Sequence, residues 1–328
     1  MNMLSGFLSR RLPLLILFIA TLTCLSPFHL NTASWVPSLL LGIVIFFTGI
    51  SMDVGAIKGM KSKKRELLIA SLLKWTLTVF TSIGIAYLFF SSHSELAAGI
   101  ILAGTVPSAT AATLYTFLAG GNTSLVIAAS LIDVVISPIV TPLSMLGLSN
   151  TFVSISFFDL LKSFLFIVVF PLSAGILFQR TFPQSIVYSK SVTKLGSSMA
   201  LLLNVHIIVG SGREAILEDL ALLLIICVAV FFQVVFPMLA SYFIVKKLSI
   251  HEVDARATLF QVGLCNTALA AILAFEFIGE FAAIAPIINM IINLSVGSWI
   301  SNYFARKNNL PYTVNLGTVK KKSENQVS

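Results

Sequence analysis

Long apolar runs recur along the whole of this chain, and each has the length that crosses a bilayer. Ten can be set out, at about 12–28, 35–53, 67–90, 95–119, 123–145, 154–179, 193–211, 217–245, 255–275 and 279–304, the seventh being the weakest. In hydrocarbon a single segment satisfies its own backbone only as a helix. The spacing therefore predicts an all-α membrane protein with ten transmembrane helices. Charged residues make up 10% of the 328 and hydrophobic residues 57%, so there is too little charge to coat a soluble domain of this size. Ser9-Arg10-Arg11 before the apolar stretch from Leu12 to Leu25 loosely resembles a secretion signal. No small-residue cleavage site follows, and a retained first span is expected.

The charge pattern orients these spans. With the N-terminus inside, the inner segments carry Arg10 and Arg11, then Lys58, Lys61, Lys63, Lys64 and Arg65. Next come Arg180, Lys190 and Lys194, then Lys246, Lys247 and Arg256, and finally Arg306, Lys307, Lys320, Lys321 and Lys322. Outer loops hold almost no Lys or Arg beyond Arg213. This is a positive-inside pattern, with both termini cytoplasmic in the cell inner (plasma) membrane. The net charge of +8 is accounted for by these loops and tails, so no nucleic-acid partner is expected. Lys320–Lys322 either touch anionic lipid or stay solvated. Cys24, Cys227 and Cys265 lie in or near apolar stretches without metal-like spacing, and neither a disulfide framework nor a zinc site is expected.

The ten spans divide five and five, which would invert the second half relative to the first. The divisions are 1–150, 151–305 and a cytoplasmic tail 306–328. The fourth span of each half is interrupted at a similar place, by Gly104-Thr105-Val106-Pro107-Ser108-Ala109-Thr110 and by Gln261-Val262-Gly263-Leu264-Cys265-Asn266-Thr267. Setting Pro107 over Gly263 also sets Thr110 over Asn266. Paired interruptions of this kind mark an inverted-repeat secondary transporter with its site near the midplane. Taken singly, Pro and Gly are common in membrane helices and only kink them. Unwinding frees backbone N–H and C=O groups; the carbonyls can hold a cation and the half-helix N-termini can face an anion. Ser108, Thr110, Thr113, Gln261, Asn266, Thr267 and Asn293 add polar side chains nearby.

At these segments the sequence resembles the bile acid:sodium symporter family of bacterial and organellar transporters. Leu41-Gly42-Ile43-Val44-Ile45-Phe46-Phe47-Thr48-Gly49-Ile50 is similar to its glycine-rich second helix. Asn122, Ser137-Pro138 and Thr141-Pro142 resemble its fifth-helix segment and the turn before it. Gln261-Val262-Gly263 with Asn266 resembles its Glu-Val-Gly-x-Gln-Asn box, and Asn293-Leu294-Ser295 its Asn-x-Ser segment. The resemblance implies a core of helices 3–5 and 8–10, a panel of helices 1–2 and 6–7, and helices 4 and 9 crossing where they unwind. It implies inward movement of a small organic anion with sodium; bile acids, pantoate and ketopantoate are substrates among members.

The chain also departs from that pattern. The family's helix 9 glutamate, a ligand shared by two sodium ions, falls on Gln261, and its following glutamine on Cys265. The helix 4 Ser-Asn pair falls on Ala112-Thr113, the helix 5 Thr-Ser pair on Ser130-Leu131, and a helix 3 glutamine on Lys74. Thr113, Ser130 and Gln261 are the residual candidate sodium ligands. Sodium and the proton both stand as coupling ions, beside an uncoupled carrier of the same fold; no other cofactor is expected.

Two charges fall inside spans, Lys74 in the third and Asp133 in the fifth, where charge is costly unless paired or wetted. Lys74 either snorkels toward the basic loop or places its ammonium at a former sodium position, paired with Asp133. Asp159 and Lys162 are expected to pair at an interface, and Glu276 and Glu280 to be solvated. Asn204 and His206 read as satisfied buried groups ahead of substrate contacts, and Gln233 as facing the core. An intramembrane enzyme is the rival class, but the chain has no His-Glu-x-x-His, no acidic pair at suitable positions and no Gly-x-Ser-x-Gly elbow.

Overall fold

The computed structural model describes the backbone of residues 2–26, 32–33, 35–52, 55, 60–149, 156–182, 185–211, 213–218 and 220–307. Within them the chain is helical almost throughout. Helix α1 is Asn2–Leu25 and α2 is Trp35–Ser51, the latter with Pro37 in its first turn, where a missing N–H costs nothing. Helix α3 runs continuously from Lys64–Leu73 through a π-helical turn, Lys74–Thr78, into Val79–Phe89. Helices α4 (Ser94–Thr105) and α5 (Thr110–Leu118) are two halves of one interrupted span. Helix α6 is Thr123–Ser149. Helix α7 joins Phe157–Phe164, a second π-helical turn, Leu165–Val169, and Phe170–Thr181. Helix α8 is Ser185–Ser211, α9 the short Arg213–Glu218 and α10 Leu220–Lys247. Helices α11 (Glu252–Gly263) and α12 (Thr267–Phe277) form the second interrupted span, and α13 is Glu280–Lys307.

Both predicted interruptions are present, and the span ends differ from the sequence reading by a few residues in most places. The eighth span divides into α9 and α10, and the seventh begins earlier, at Ser185. The tail beyond Lys307 lies outside the described residues. Ends are set by local chemistry. Ser156 caps α7 by accepting from the Asp159 N–H at 3.3 Å. Glu252 and Asp254 sit in the first turn of α11, while Lys246–Lys247 and Arg306–Lys307 close α10 and α13, as the helix dipole favours. Gly120 ends α5 with φ of 66°, a conformation that suits glycine.

Five helices among the described residues are long and apolar enough to cross a membrane, and shorter apolar helices accompany them. Their outward faces carry Phe18, Phe80, Leu88, Val135, Phe158, Phe166, Phe170, Phe243 and Trp299, all exposed. Such an exterior suits hydrocarbon and not water. Helix α2 packs along α7 and α8, and α1 along α8; α13 packs on α4, α5, α10 and α12. Close packing depends on small residues. A Cβ on Gly49 of α2 would lie 2.5 Å from the Leu172 carbonyl oxygen and 3.1 Å from the Gly175 Cα of α7, and one on Gly99 of α4 would collide with the Ala282 carbonyl of α13.

Proline inside α6 is accommodated by neighbouring hydroxyls. Pro138 leaves the Val134 carbonyl without a backbone donor, and Ser137 Oγ donates to it at 3.5 Å. Thr141 Oγ1 donates at 2.5 Å to the Thr105 carbonyl, which lost its own partner where α4 ends. The α2–α7 approach supplies a test. Gly49→Val places side-chain atoms against backbone that has no room to yield, an overpacking of about 1–3 kcal/mol. A Tm several degrees below wild type is expected for the detergent-solubilised variant; an unchanged Tm would count against this packing.

Candidate functional site

Pro107 has no N–H and clashes with the preceding turn, and the residue before a proline is pushed to extended backbone. Accordingly α4 stops at Thr105, and Val106 (φ −80°, ψ 160°) and Ala109 (φ −73°, ψ 149°) are extended. In the second span α11 stops at Gly263, Leu264 is extended, and Asn266 caps α12 by accepting from the Leu269 N–H at 3.3 Å. Gly263 also lets α10 come close, since a Cβ there would lie 2.6 Å from Met238 Cβ.

The two interruptions meet. The Ala109 N–H donates to the Leu264 carbonyl at 2.8 Å, and the Asn266 N–H to the Pro107 carbonyl at 2.8 Å. Ser108 and Cys265 thereby face one another as an antiparallel bridge. Each broken helix supplies donors and acceptors that the other lost. Asn293 of α13 reinforces this crossing by donating to the Cys265 carbonyl at 3.1 Å and to Thr267 Oγ1 at 3.3 Å. Tyr115 of α5 donates to the Leu294 carbonyl at 2.9 Å.

Asp133 of α6 is fully buried against the crossing. Its Oδ1 accepts from Trp75 Nε1 at 2.9 Å. Its Oδ2 accepts from Gln261 Nε2 at 2.7 Å and from the Ser108 hydroxyl at 2.6 Å, with the Ser108 N–H at 3.3 Å. The Ser108 hydroxyl also lies 2.7 Å from the Gln261 carbonyl. Gln261 Oε1 accepts from Ser130 Oγ at 3.3 Å. One carboxylate thus ties α3, α6, α11 and the first break together through neutral donors.

Lys74 departs from both sequence expectations. It does not snorkel, because its side chain is fully buried. Nor does it form a direct ion pair with Asp133, although its charge acts on that carboxylate through space; the ion pairs among the described residues are Lys63–Asp254, Lys246–Glu252 and Arg256–Glu252. Its Nζ donates instead to Cys265 Sγ at 2.7 Å and lies 5.8 Å from the centroid of the Trp75 ring. The π-helical turn starts at this residue, and such turns cluster at functional positions.

The remaining sequence candidates separate by exposure. Ser108, Gln261 and Asn293 are buried at the crossing, whereas Thr110 is exposed and Thr113, Ser130 and Asn266 are half-buried. Gln233 does face the core. Its Nε2 donates to Ser82 Oγ at 2.8 Å and to the Ile100 carbonyl at 2.6 Å, and its Oε1 accepts from Asn289 at 2.9 Å. Trp75 and Asn289 were missed. An indole N–H or a carboxamide inside an apolar run needs a buried partner, and that is the available signal.

Away from the crossing, Asp159 and Lys162 are both exposed and form no ion pair with each other. Glu276 is exposed but not simply solvated, since it accepts from Ser38 Oγ at 2.6 Å and joins α12 to α2. His206 Nδ1 and Thr23 Oγ1 are 2.8 Å apart, while the buried Asn204 Oδ1 has no hydrogen-bond partner among the described residues. At the end of the molecule carrying the basic segments, Asp254 receives Lys63 at 2.6 Å and Asn122 at 2.7 Å, and Arg256 donates to the Ala119 carbonyl at 2.8 Å. A surface groove of about 370 Å³ between α3 and α10, lined by Thr76, Phe80, Gly84, Leu88 and Phe236 among others, is apolar and contains none of the crossing residues.

The Asn293 contact is testable. Asn293→Ala removes that donor from the Cys265 carbonyl, which keeps the Thr267 N–H at 2.9 Å, at a cost of about 0.5–1.5 kcal/mol. Its Tm is expected to fall, while Ser295→Ala, at an exposed position two residues away, leaves Tm unchanged. Equal Tm values for the two variants would remove Asn293 from the crossing's support.

Residues 38–219 match the Sodium Bile acid symporter family. The chain is 26% identical over 279 residues to "Uncharacterized sodium-dependent transporter YocS" of Bacillus subtilis, covering 84% of this chain and 85% of that protein. It is 24% identical over 292 residues to "Probable sodium/metabolite cotransporter BASS1, chloroplastic" of Arabidopsis thaliana, covering 86% of this chain and 69% of that one. The chain is a multi-pass membrane protein and belongs to the Sodium Bile acid symporter family.

Proposed function

We propose that this protein is a secondary active transporter that moves a small organic anion through the crossing of its two interrupted helices. The observation that carries this reading is the backbone pairing of Pro107–Ala109 with Leu264–Asn266. The pairing sets the N-termini of α5 and α12 at one place. The first-turn N–H groups of a helix have no intrahelical acceptors, and the helix dipole adds positive potential there. A carboxylate is the small group that such an arrangement favours. Thr110 is exposed, and Thr113 and Asn266 are half-buried, beside these termini. Their hydroxyl and amide groups add the directional contacts that distinguish one acid from another.

The finer architecture belongs to the same reading. Ten transmembrane helices form an inverted five-plus-five repeat, in which α4/α5 and α11/α12 are the equivalent interrupted members. Helices α3–α6 and α10–α13 make a core around the crossing, and α1, α2, α7 and α8 a panel beside it. The packing of α2 on α7 and α8, and of α1 on α8, supports the division. The gathering of Lys63, Arg65, Lys246 and Arg256 at one end supports a cytoplasmic placement of that end, with both termini inside. The names of both relatives include sodium; for this chain sodium and the proton both stand as candidate coupling ions. No catalytic role is assigned to any residue.

Two measurements test this reading. In proteoliposomes, uptake of a carboxylate found by a binding screen is expected to fall at least tenfold in Asn266→Ala and in Thr110→Ala, with normal insertion. Full uptake by both variants would remove the crossing from the mechanism. For orientation, a cysteine replacing Lys63 is expected to react with impermeant thiol reagent only from the cytoplasmic side, in a background lacking the three native cysteines. Labelling from the outer side would overturn the topology.

A further inference from the structure

We propose that Lys74 supplies a built-in cation at the crossing in place of a sodium ion, so that this carrier binds its anion without sodium. The inference rests on reading the crossing as the transport site.

Three observations carry it. The first is position. Lys74 is fully buried in a π-helical turn of α3, and its Nζ bonds to Cys265 Sγ at 2.7 Å. Cys265 is the residue of the second break that bridges to Ser108 of the first. Lysine's charge is compact and carried on a long stem, so it reaches the crossing from a neighbouring helix.

The second is the donor set that a sodium ion would meet. A hard cation takes oxygen ligands, whereas the atom at the centre of the second break is the soft sulfur of Cys265. Gln261, placed at the family's shared carboxylate position, is neutral, and both ends of its carboxamide are engaged. Its Nε2 holds Asp133 and its Oε1 accepts from Ser130 Oγ. Asp133 is the one carboxylate that bonds to Ser108 and Gln261 among the described residues, and both its oxygens already accept from Trp75, Ser108 and Gln261. Thr113, half-buried on α5, stands as the one residual oxygen candidate not drawn into this cluster. The residues present do not fit a sodium ion of the kind the family name implies.

The third is electrostatic. A second positive charge about 4 Å from an ammonium is disfavoured by roughly a thousandfold in affinity at an effective dielectric of about 20. The same ammonium offsets the buried Asp133 carboxylate, so that an anion lying between the N-termini of α5 and α12 does not meet an uncompensated negative charge. A sodium ion would provide that compensation on arrival; Lys74 provides it permanently.

The test needs no substrate, so its failure is distinct from failure of the transport reading. Binding of radiolabelled sodium to the purified protein is measured together with Tm in sodium chloride and in choline chloride at matched ionic strength. Wild type is expected to bind no sodium saturably and to have the same Tm in both salts. Lys74→Gln replaces the ammonium with a neutral oxygen-bearing side chain of similar reach, and is expected to gain a Tm rise specific to sodium. Saturable sodium binding by wild type overturns the proposal whether or not the variant folds. A monodisperse Lys74→Gln protein that gains no sodium response also overturns it. Lys74→Arg, which keeps the charge, is expected to stay insensitive to sodium, and a sodium response in that variant counts against the charge as the cause.

Discussion

Two short stretches of extended backbone hold each other in place at the centre of an otherwise helical protein. Pro107–Ala109 and Leu264–Asn266 exchange N–H and C=O groups as a two-strand ladder. In an apolar setting each unpaired backbone group costs several kcal/mol, so neither break is stable alone. The rest of the crossing follows from closing the remaining accounts. Thr141 serves the carbonyl orphaned at the end of α4, Asn293 serves Cys265, and Asn266 caps the new helix start. Gly263 is required because Met238 of α10 leaves no space for a Cβ.

The side chains around that ladder follow a rule that differs from the rule at the molecule's end. Toward the end carrying the basic segments, full charges pair with full charges, as in Lys63–Asp254 and Arg256–Glu252, where one partner retains access to water. At the crossing, a buried carboxylate is met by an indole, a hydroxyl and a carboxamide, and a buried ammonium by sulfur. Neutral donors spread over several helices stabilise the carboxylate's lone pairs, while the Lys74 ammonium acts on it through space without a direct bridge.

How far this was legible in the sequence depended on whether the relevant constraint was local. Pro107 and Gly263 act on their own backbone, and setting one over the other was enough to find both breaks. The apolar runs acted over single spans and located most helix ends to within a few residues, but α1 and α8 start ten and eight residues earlier than their apolar runs, at Asn2 and Ser185, where polar residues in the first turns hide the helix. The partner of Lys74 was not legible, because a π-helical turn changes which way a side chain leaves its helix and nothing in the spacing of Lys74–Thr78 marks one. The glutamate at 276 read as solvated because its acceptor role depends on Ser38, distant in sequence. Asp159 and Lys162 have the spacing of a pair, but the N–H of Asp159 serves a cap and no bridge forms between the two side chains.

The pattern of polar contacts also bears on which parts of the molecule move together. Bonds linking α3, α6, α10, α11 and α13 run through buried groups: Trp75 to Asp133, Gln261 to Asp133, Gln233 to Asn289 and Asn293 to Cys265. Breaking any of these strands a polar group away from water, which costs about 1–3 kcal/mol for each neutral group. The contact from α2 to α12 through Ser38 and Glu276 is exposed, so water replaces it at little cost when it opens. The α2–α7 contact, in contrast, is a close backbone approach at Gly49 and Gly175 that resists sliding.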